Sequence, residues 1–476
     1  MKILLAEAPF SYTDSIIKGE RYFPLGIGYI ASYIRQSPGR DVKIFIGDML
    51  QFEKAVSRDL PDVVGITCMT NTYPTAAQMV QIVKKSNPRC RIILGGQHVS
   101  SVHADVLRDI PEADFLAVGE GEILMDRFLR ELVSGKPAWE HVPGLVYRIS
   151  GGIKEVPVGP VNDHIEQFPF PARDLVDLNQ YKSHPQMRFG RSTASMITSR
   201  GCPWLCTYCS SHVTMGRKYR FLSADYVLNE IQEIYHRYHI NNIILWDDLF
   251  TLNHDRVHEI CEKIIKSGLN INWFCQSRTD RLNQEIADIM RRAGCKMISF
   301  GIESGNEKTL ERIRKNVKLD VVTQTIGFCR KAGIRTQGSF ILGFPWETKE
   351  EMEDTIKFAS RSNLDIALFF SFTPYPGTTE WQYVPEEAKP RNIGEWERFV
   401  CNNLYGRTWN SCLDQKHMKI MVSKAHWKFY FRFSQIFRMV KRIASAEELV
   451  AYIKAAFNLL YSILKILSRN FKKRRL

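Results

Sequence analysis

Short apolar segments that end at glycine or polar residues alternate with amphipathic helical segments along most of this chain of 476 residues. In the first part, the pattern predicts strands over 2–6, 42–46, 62–67, 91–94 and 115–118, with helices over 25–36 and 74–85. Strands that alternate with helices form parallel sheets covered by helices on both faces. The alternation therefore predicts an α/β fold that begins with an open, Rossmann-like parallel-sheet domain over 1–142.

A second series of strands and helices follows a segment richer in proline and polar residues. That segment, 143–189, is interpreted as a linker with a small hairpin that turns at Gly151 and Gly152. Six strand–helix units then predict a partial (β/α)6 barrel over 190–412, with the site on loops at the strand ends. The predicted strands are 194–198, 242–246, 271–275, 297–301, 336–341 and 366–371, and the predicted helices are 223–239, 254–267, 283–293, 320–332 and 348–362.

The positive charge of the chain is concentrated at its C-terminal end. Of the net +14, residues 414–476 contribute 15 Lys and Arg against 3 Asp and Glu, or +12, which leaves 50 against 48, or +2, for the remainder. Apolar residues at a four–three spacing between 446 and 467 predict a basic helical C-terminal region over 413–476. Two interpretations stay open, a helical pair packed on the barrel or a basic amphipathic surface on anionic lipid. The near-neutral remainder offers no continuing basic groove and argues against nucleic acid as a partner.

Cellular location is constrained by the first ten residues, by hydropathy and by the cysteines. The opening MKILLAEAPF reaches Glu7 too soon for a secretory signal, and no segment has the roughly 18 uninterrupted apolar residues that span a membrane. The 11 cysteines are mostly scattered singly, which argues against a disulfide framework. We therefore expect a reducing, cytoplasmic protein, with membrane association through the basic tail as an added expectation.

Three cysteines form the strongest local motif. The sequence SRGCPWLCTYCSSH over 199–212 places Cys202, Cys206 and Cys209 within eight residues, directly after a predicted strand. Thiolates are the ligands of iron–sulfur clusters, and three of them leave one iron of a cubane open to a substrate or cofactor. A zinc site is the alternative, with His212 as the candidate fourth ligand. The other cysteines of the second half are predicted to be buried small residues: Cys261, Cys275, Cys295, Cys329, Cys401 and Cys412.

The CxxxCxxC spacing, with Tyr208 before the last cysteine and a barrel strand before the first, resembles the radical S-adenosylmethionine enzymes. The resemblance covers about 190–405. It implies a 4Fe–4S cluster on Cys202, Cys206 and Cys209 whose open iron chelates S-adenosylmethionine. Reductive cleavage would then give methionine and a 5′-deoxyadenosyl radical that abstracts hydrogen.

Polar groups at the later strand ends fit the same resemblance. Asp247 and Asp248 follow the second strand, where the family places groups that bind the methionine ammonium, although aspartates there also cap helices. Arg278 follows the third strand and suits a carboxylate or ribose, or a surface ion pair. The fourth strand ends at Glu303 and Ser304 in a motif that implies contacts to ribose or methionine. Gly343 ends the fifth, where adenine lies against backbone in the family, and FTPYPGT over 372–378 closes the sixth.

The first domain resembles the cobalamin-binding branch of this family. The resemblance rests on PLGIGYIASYI at 24–34, GITCMTNT at 65–72, LGGQHVSS at 94–101 and VGEGE at 118–122. Glycines in these loops let the backbone approach a large flat ligand closely. No DxHxxG loop occurs, so we expect cobalamin with water or no protein group below the cobalt. The candidate cobalamin-binding residues are Thr67, Thr70, Gly95, Gly96, His98, Gly119, Glu120 and Gly121.

The whole layout resembles the branch with the anaerobic magnesium-protoporphyrin monomethyl ester cyclases and the hopanoid-modifying enzymes. It implies methylation, cyclisation or oxidation of an unactivated carbon in a lipophilic substrate such as a lipid, hopanoid or tetrapyrrole, with flavodoxin or ferredoxin as reductant. One alternative is an RNA-modifying methylthiotransferase, but that family needs three N-terminal cysteines and this domain has only Cys68 and Cys90. A non-catalytic iron–sulfur protein is the other alternative.

Overall fold

The protein is described from a computed structural model. It describes residues 1–10, 22–181, 187, 192–401, 409–443, 446, 449–450 and 453–454. The described residues form two compact units, and each is discontinuous in sequence. The first takes its residues from Met1–Tyr181, Ala194–Glu230 and Pro374–Val400, and the second from Lys182–Thr193, Ile231–Thr373 and Cys401–Leu476.

A seven-stranded sheet forms the centre of the first unit. Its strands are β1 (Lys2–Glu7), β2 (Asp41–Phe45), β3 (Val63–Thr67), β4 (Arg91–Gly95), β5 (Phe115–Ala117), β6 (Leu145–Ile149) and β7 (Gly152–Glu155). They lie in the order β2-β1-β3-β4-β5-β6-β7, with the first five parallel and the last two added as an antiparallel hairpin. The helices are α1 (Leu25–Ile34), α2 (Met49–Asp59), α3 (Tyr73–Ser86), α4 (Gln97–Val102), α5 (Asp105–Asp109) and α6 (Gly121–Val133).

The strand order places a ligand edge between β1 and β3. β2 lies on one side of β1, whereas β3 and the later parallel strands lie on the other, so the direction of winding reverses there. Open parallel sheets bind ligands beyond the carboxyl ends of their strands at such a reversal. Glu7 and Thr67 are register partners at that edge, and Gly95 pairs with Thr67 on the other side. The first unit therefore offers the edge that a doubly wound cofactor domain uses.

The cysteine loop also belongs to the first unit. The strands β8 (Ala194–Met196), β9 (Ser199–Arg200) and β10 (Arg220–Phe221) accompany α7 (His212–Met215) and the start of α8 (Ala224–Arg237). β9 and β10 pair antiparallel with Arg200 opposite Arg220. Residues 201–219 are consequently a loop whose two ends are joined, and all three motif cysteines lie on it.

The second unit is a parallel sheet with helical connections. The strands β11 (Asn242–Leu245), β12 (Asn272–Ser277), β13 (Cys295–Glu303), β14 (Arg335–Leu342) and β15 (Ile366–Ser371) pair in sequence order. The helices are α9 (His254–Ser267), α10 (Gln284–Arg292), α11 (Glu307–Arg312), α12 (Leu319–Ala332), α13 (Lys349–Arg361), α14 (Gln415–Tyr430) and α15 (Phe433–Arg442). Asn253, Asn283 and Thr348 cap the starts of α9, α10 and α13, as their side chains favour.

The α/β class is confirmed, and every strand and helix predicted between residues 2 and 371 is present to within a few residues. The helices α2 and α6 and the shorter α4, α5, α7 and α11 were not predicted, and Gly121, at which α6 begins, was assigned to a loop. The hairpin was predicted to lie apart from the first sheet, which β6 and β7 in fact extend. The predicted amphipathic helix from 446 onward falls almost entirely outside the described residues. Among the residues described, no helix has the length and apolar character to cross a membrane.

Candidate cluster and cofactor site

The three motif cysteines are partly exposed and form no disulfide. Cys202, Cys206 and Cys209 are each of intermediate burial, and the Cys209 amide donates to the Cys206 carbonyl at 3.3 Å. Over the described ranges, no group of three or more His, Cys, Asp or Glu side chains is arranged to hold a single metal ion. A cubane separates its thiolate corners more widely than one ion does. Accessible thiols on a single loop are thus a donor set that fits a 4Fe–4S cluster.

Hydrogen bonds from a distant segment fix the middle of this loop. Thr207 donates from Oγ1 to Glu380 Oε1 at 2.7 Å, and the Glu380 amide donates to the Thr207 carbonyl at 3.3 Å. Both residues are buried. Tyr208, the predicted cofactor-binding aromatic, is partly exposed between Thr207 and Cys209. The segment after FTPYPGT therefore holds the loop between its second and third cysteines.

Two glycines pack the loops at the ligand edge of the first unit. Gly96 has φ +97°, and a Cβ there would lie 2.6 Å from both the Cys68 carbonyl oxygen and Thr67 Oγ1. A Cβ on Gly121 would lie 2.5 Å from Cδ1 of Ile30 on α1. Neither position tolerates a side chain without movement, so these loops lie against β3 and α1 as closely as backbone permits.

The other glycines of the cobalamin motifs are less constrained. Gly95, at the end of β4, has only ordinary contacts to Ala117 at 3.6 Å. Gly119 has φ +91°, and its amide donates to Ser100 Oγ at 3.0 Å. Gly95 ends β4 as the register partner of Thr67, and Gly119 follows β5, so both lie at the sheet edge where open parallel sheets bind ligands.

His98, on α4, lies in the interior of the first unit. Its side chain is fully buried, with Nδ1 3.3 Å from Thr70 Oγ1 and the ring packed against Tyr73 and Trp396 at centroid distances of 4.3 and 4.7 Å. Burial lowers the pKa of His98 to about 3, so the imidazole is neutral. Nε2 has no hydrogen-bond partner within the described chain. The structure thus pairs His98 with Thr70 in the protein interior.

Glu120, predicted to bind cobalamin, contacts two arginines. It accepts hydrogen bonds from Arg200 and Arg220, the residues that close the cysteine loop. The neighbouring Glu122 accepts a second bond from Arg200.

In the second unit, the two aspartates after β11 have different surroundings. Asp247 is fully buried, whereas Asp248 is exposed. The helix-capping interpretation is wrong for the helix that follows, because Asn253 caps α9.

Arg278 and Glu303 meet at one buried polar cluster with Lys315. Arg278 is 3% exposed, donates from Nε to Asp280 at 2.9 Å and donates from Nη2 to the Lys315 carbonyl at 2.7 Å. The surface ion pair considered for Arg278 is therefore a buried one. Glu303 has φ +71° and accepts from Lys315 Nζ at 3.2 Å. A non-glycine residue in this strained conformation at a strand end is typical of functional sites.

Ser304 and Gly343 have different roles in their turns. Ser304 Oγ lies 2.9 Å from Thr355 Oγ1 on α13, in full burial. The Gly343 amide donates to Glu347 Oε2 at 2.6 Å, as does that of Phe344 at 3.2 Å. Burial raises the pKa of Glu347 to about 8, so its carboxyl is protonated at neutral pH.

The remaining cysteines follow the prediction in part. Cys261, Cys275, Cys295 and Cys329 are buried, and burial raises the thiol pKa of Cys261, Cys275 and Cys329 above the ordinary range. Cys401 and Cys412 are exposed, so the expectation of burial is wrong for them. Both lie in loops after the last strand of the sheet, beyond its packed layers.

Known families and relatives match both halves of the chain. Residues 196–359 match the radical SAM superfamily, and residues 19–129 match the B12 binding domain. An uncharacterized methyltransferase of Pyrococcus horikoshii is 36% identical over 91% of this chain and 93% of its own. The chain belongs to the cobalamin-binding radical SAM family. Its cofactors are a 4Fe–4S cluster, S-adenosylmethionine and cobalamin, and it is an enzyme of the methyltransferase and cyclase type.

More distant relatives agree with this assignment. The anaerobic magnesium-protoporphyrin IX monomethyl ester cyclase of Rubrivivax gelatinosus is 28% identical over 82% of this chain and 71% of its own. The hopanoid C-3 methylase of Methylococcus capsulatus is 27% identical over 81% and 72%. A solved structure of the cobalamin-dependent radical enzyme OxsB, with aqua-cobalamin and S-adenosylmethionine bound, covers 97% of this chain and 71% of its own at 18% identity and a TM-score of 0.73. The similarity to OxsB supports the fold described above.

Four residues close to the predicted site residues were not themselves predicted from the sequence. Glu7 ends β1 at the reversal of the first sheet, and burial raises its pKa to about 7. Lys315 and Glu347 face predicted site residues, and Arg200 closes the cysteine loop. The sequence could have indicated Glu7 and Glu347, because each is an acidic residue at the end of an apolar strand or shortly after it. It could not have indicated Lys315 and Arg200, since only the fold identifies their partners.

Proposed function

We propose that this enzyme methylates an unactivated carbon of a lipophilic molecule at a membrane surface. The methyltransferase of P. horikoshii and the hopanoid C-3 methylase support methylation. The names of two relatives give a hopanoid and magnesium-protoporphyrin IX monomethyl ester as substrates, which supports a lipophilic substrate here. Like other radical SAM enzymes, this one needs a reductant, and flavodoxin or ferredoxin suits that role.

The proposed reaction balances without further reactants. Two molecules of S-adenosylmethionine and two electrons convert R–H into R–CH3, with one methionine, one 5′-deoxyadenosine and one S-adenosylhomocysteine as by-products. The substrate hydrogen ends on 5′-deoxyadenosine. When bound, the cluster and S-adenosylmethionine supply the radical, and cobalamin carries the methyl group.

The residues of this chain have separable tasks in the proposal. Cys202, Cys206 and Cys209 would hold the cluster. In the second unit, Glu303 and Arg278 would orient the methionine and ribose groups of S-adenosylmethionine, each kept in place by Lys315.

Asp247, buried at the end of β11, would bind the methionine ammonium, and the backbone at Gly343 would lie against adenine. A Cβ on Gly343 would come within 2.4 Å of the Met418 side chain, which keeps that turn narrow.

The orientation of α15 carries the membrane part of the proposal. Its polar residues face inward: Gln435 is fully buried and donates to the Asp365 carbonyl at 2.7 Å, and Arg438 donates to the Leu364 carbonyl at 3.1 Å. Its apolar residues face outward at the i, i+3, i+4, i+7 spacing of one helix face. They are Phe433, Ile436, Phe437 and Val440, with 94%, 44%, 72% and 63% of their surface exposed. We call these four residues the α15 face.

An anionic bilayer is the occupant that fits the α15 face. A helix usually buries its apolar stripe in the protein, so an outward stripe fixed by inward hydrogen bonds favours an external apolar phase. The region around it, 414–476, carries +12. Exposed aromatic and aliphatic residues combined with basic charge are typical of helices that lie at the surface of anionic lipid.

Isotope transfer tests the proposed reaction. The full chain, reconstituted with its cluster and hydroxocobalamin and reduced with flavodoxin, is given S-adenosylmethionine with a trideuterated methyl group and a lipid extract of its own cells. We expect the organic phase to contain a methylated product that carries three deuterons. The variant Cys206→Ala should not form it. Label found only in water-soluble products would refute the lipophilic substrate. A product without label, formed with 5′-deoxyadenosine but no S-adenosylhomocysteine, would show cyclisation or oxidation in place of methylation.

A further inference from the structure

The two ends of the cysteine loop meet at a pair of like charges. β9 and β10 place Arg200 directly opposite Arg220, on either side of residues 201–219. Both arginine side chains are buried, at 6% and 3% exposure. Two guanidinium groups facing each other across a strand pair repel, and burial removes the water that would screen them. This two-residue ladder needs negative charge from elsewhere in the chain to close the loop.

Glu120 supplies that charge to both arginines. Its Oε1 accepts from Arg200 Nη1 and from Arg220 Nη2, each at 3.1 Å, and its Oε2 accepts from Arg220 Nη1 at 2.7 Å. Glu122 accepts from Arg200 Nη2 at 2.7 Å. Two positive and two negative side chains thus form a neutral buried network. Charge-assisted and bidentate bonds of this kind are the strong members of their class.

Further contacts fix the arginines on the loop side. Arg220 donates to the carbonyls of Asn162 and Met215 at 2.9 and 2.7 Å. The Arg200 guanidinium lies 5.0 Å from the Tyr29 ring centroid and 5.3 Å from that of Phe168. Neither arginine can follow a movement of the loop without losing several of these contacts.

The carboxylates come from the ligand edge of the cobalamin domain. Glu120 lies between the end of β5 and the first residue of α6, beside Gly119. The same edge contacts the loop a second time, where Gln97 donates to Ser210 Oγ, directly after Cys209. Gln97 follows Gly96 and begins α4. The two glycine loops predicted to bind cobalamin are therefore also two of the segments that hold the cluster loop.

We propose that Glu120 is a positioning residue that couples cobalamin binding to the conformation of the cluster loop. A ligand seated on the Gly95–Gly96 and Gly119 loops restricts the backbone on which Glu120 and Gln97 stand. Through its bonds to the two arginines, Glu120 then restricts both ends of residues 201–219. Through its bond to Ser210, Gln97 restricts the residue after Cys209. Cobalamin binding then restricts the movement of the loop that carries the three cysteines. The cobalamin domain thereby influences cluster binding as well as methyl transfer.

Hydrogen exchange of the cluster-free full chain tests this coupling without any turnover. We expect hydroxocobalamin to slow amide exchange over 201–219 in the parent protein. In Glu120→Gln, at a hydroxocobalamin concentration that an absorbance titration of this variant shows to be saturating, we expect exchange over 201–219 to be at least about tenfold faster than in the parent and no longer slowed by hydroxocobalamin. Glu155→Gln is the matched control, because Glu155 lies on β7 in the same sheet and pairs with His103 in an exposed ion pair.

Arg220→Lys keeps the charge and loses the bidentate geometry, so we expect an intermediate response. It also keeps the test decisive if Glu120→Gln does not fold. Parent-like protection of 201–219 by hydroxocobalamin in either variant would overturn the proposal. So would an equal loss of response in Glu155→Gln, which would point to a general loosening of the domain.

Discussion

Replacing the two most exposed rings of the α15 face should detach the enzyme from anionic membranes. Phe433 and Phe437 are 94% and 72% exposed, so their replacement by serine removes almost no contact within the described chain. Complete burial of a phenylalanine side chain contributes about 1.5–3 kcal/mol. For two rings that begin mostly exposed and enter the interface in part, we expect a loss of about 3 kcal/mol, or roughly a hundredfold in the partition coefficient.

Flotation with liposomes measures that partition. The parent chain should float with phosphatidylglycerol vesicles, float less with phosphatidylcholine vesicles, and lose binding as salt rises. The double variant Phe433→Ser/Phe437→Ser should stay at the bottom of the gradient. Tyr383→Ser is the control, since Tyr383 is an exposed aromatic residue in the other unit and 68% of its surface is accessible.

Two results would refute this reasoning. Flotation of the double variant at the level of the parent would show that the α15 face does not contact lipid. A drop in melting temperature larger than that of Tyr383→Ser would show that the rings pack against another part of the protein.

Three further predictions concern stability and the cofactor edge. Arg173 and Glu230 form a 2.6 Å ion pair at 1% and 0% exposure, so Arg173→Met or Glu230→Gln alone should cost about 3–5 kcal/mol in urea unfolding. The double variant should cost far less than the sum, and additive costs would contradict a direct pairing. The pKa of Glu347 is raised from 4.5 to about 8, so the unfolded carboxyl ionises first and stability falls as pH rises through that window. Glu347→Gln should flatten urea midpoints between about pH 6 and 8, by up to about 1.4 kcal/mol per pH unit, and an unchanged slope would count against a neutral Glu347. Gly96→Ala should weaken hydroxocobalamin binding more than Gly119→Ala, because a Cβ would meet backbone at 2.6 Å at Gly96 but only a Val158 methyl at 3.3 Å at Gly119; equal affinities by absorbance titration would contradict this.

The sequence was sufficient for elements whose signal is local. The strands before the glycine loops are short apolar runs, and β3 is buried along nearly its whole length, as a central parallel strand should be. The helix α9 was bounded correctly because Asn253 and Gly268 mark its two ends. The three cysteines identified the cluster chemistry because a thiol triad within eight residues has few other uses.

Features set by distant partners were not predictable. Glu120 reads as one acidic residue in a glycine loop, yet Arg200 and Arg220 lie 80 and 100 positions away in sequence. His98 packs against Trp396, which lies almost 300 positions later in the sequence, and no local pattern indicates that contact. The outward face of α15 follows from the burial of Gln435, which no hydrophobic pattern indicates.

The ratio of the two adenosyl by-products tests the central claim of cobalamin-dependent radical methylation most directly. With the reconstituted full chain, its substrate extract and limiting S-adenosylmethionine, we expect 5′-deoxyadenosine and S-adenosylhomocysteine in equal amounts, each matching the methylated product. Omitting cobalamin should abolish S-adenosylhomocysteine and methylated product, and Cys202→Ala should abolish 5′-deoxyadenosine. Methylated product formed at an undiminished rate without cobalamin, while the cluster is intact, would contradict the account.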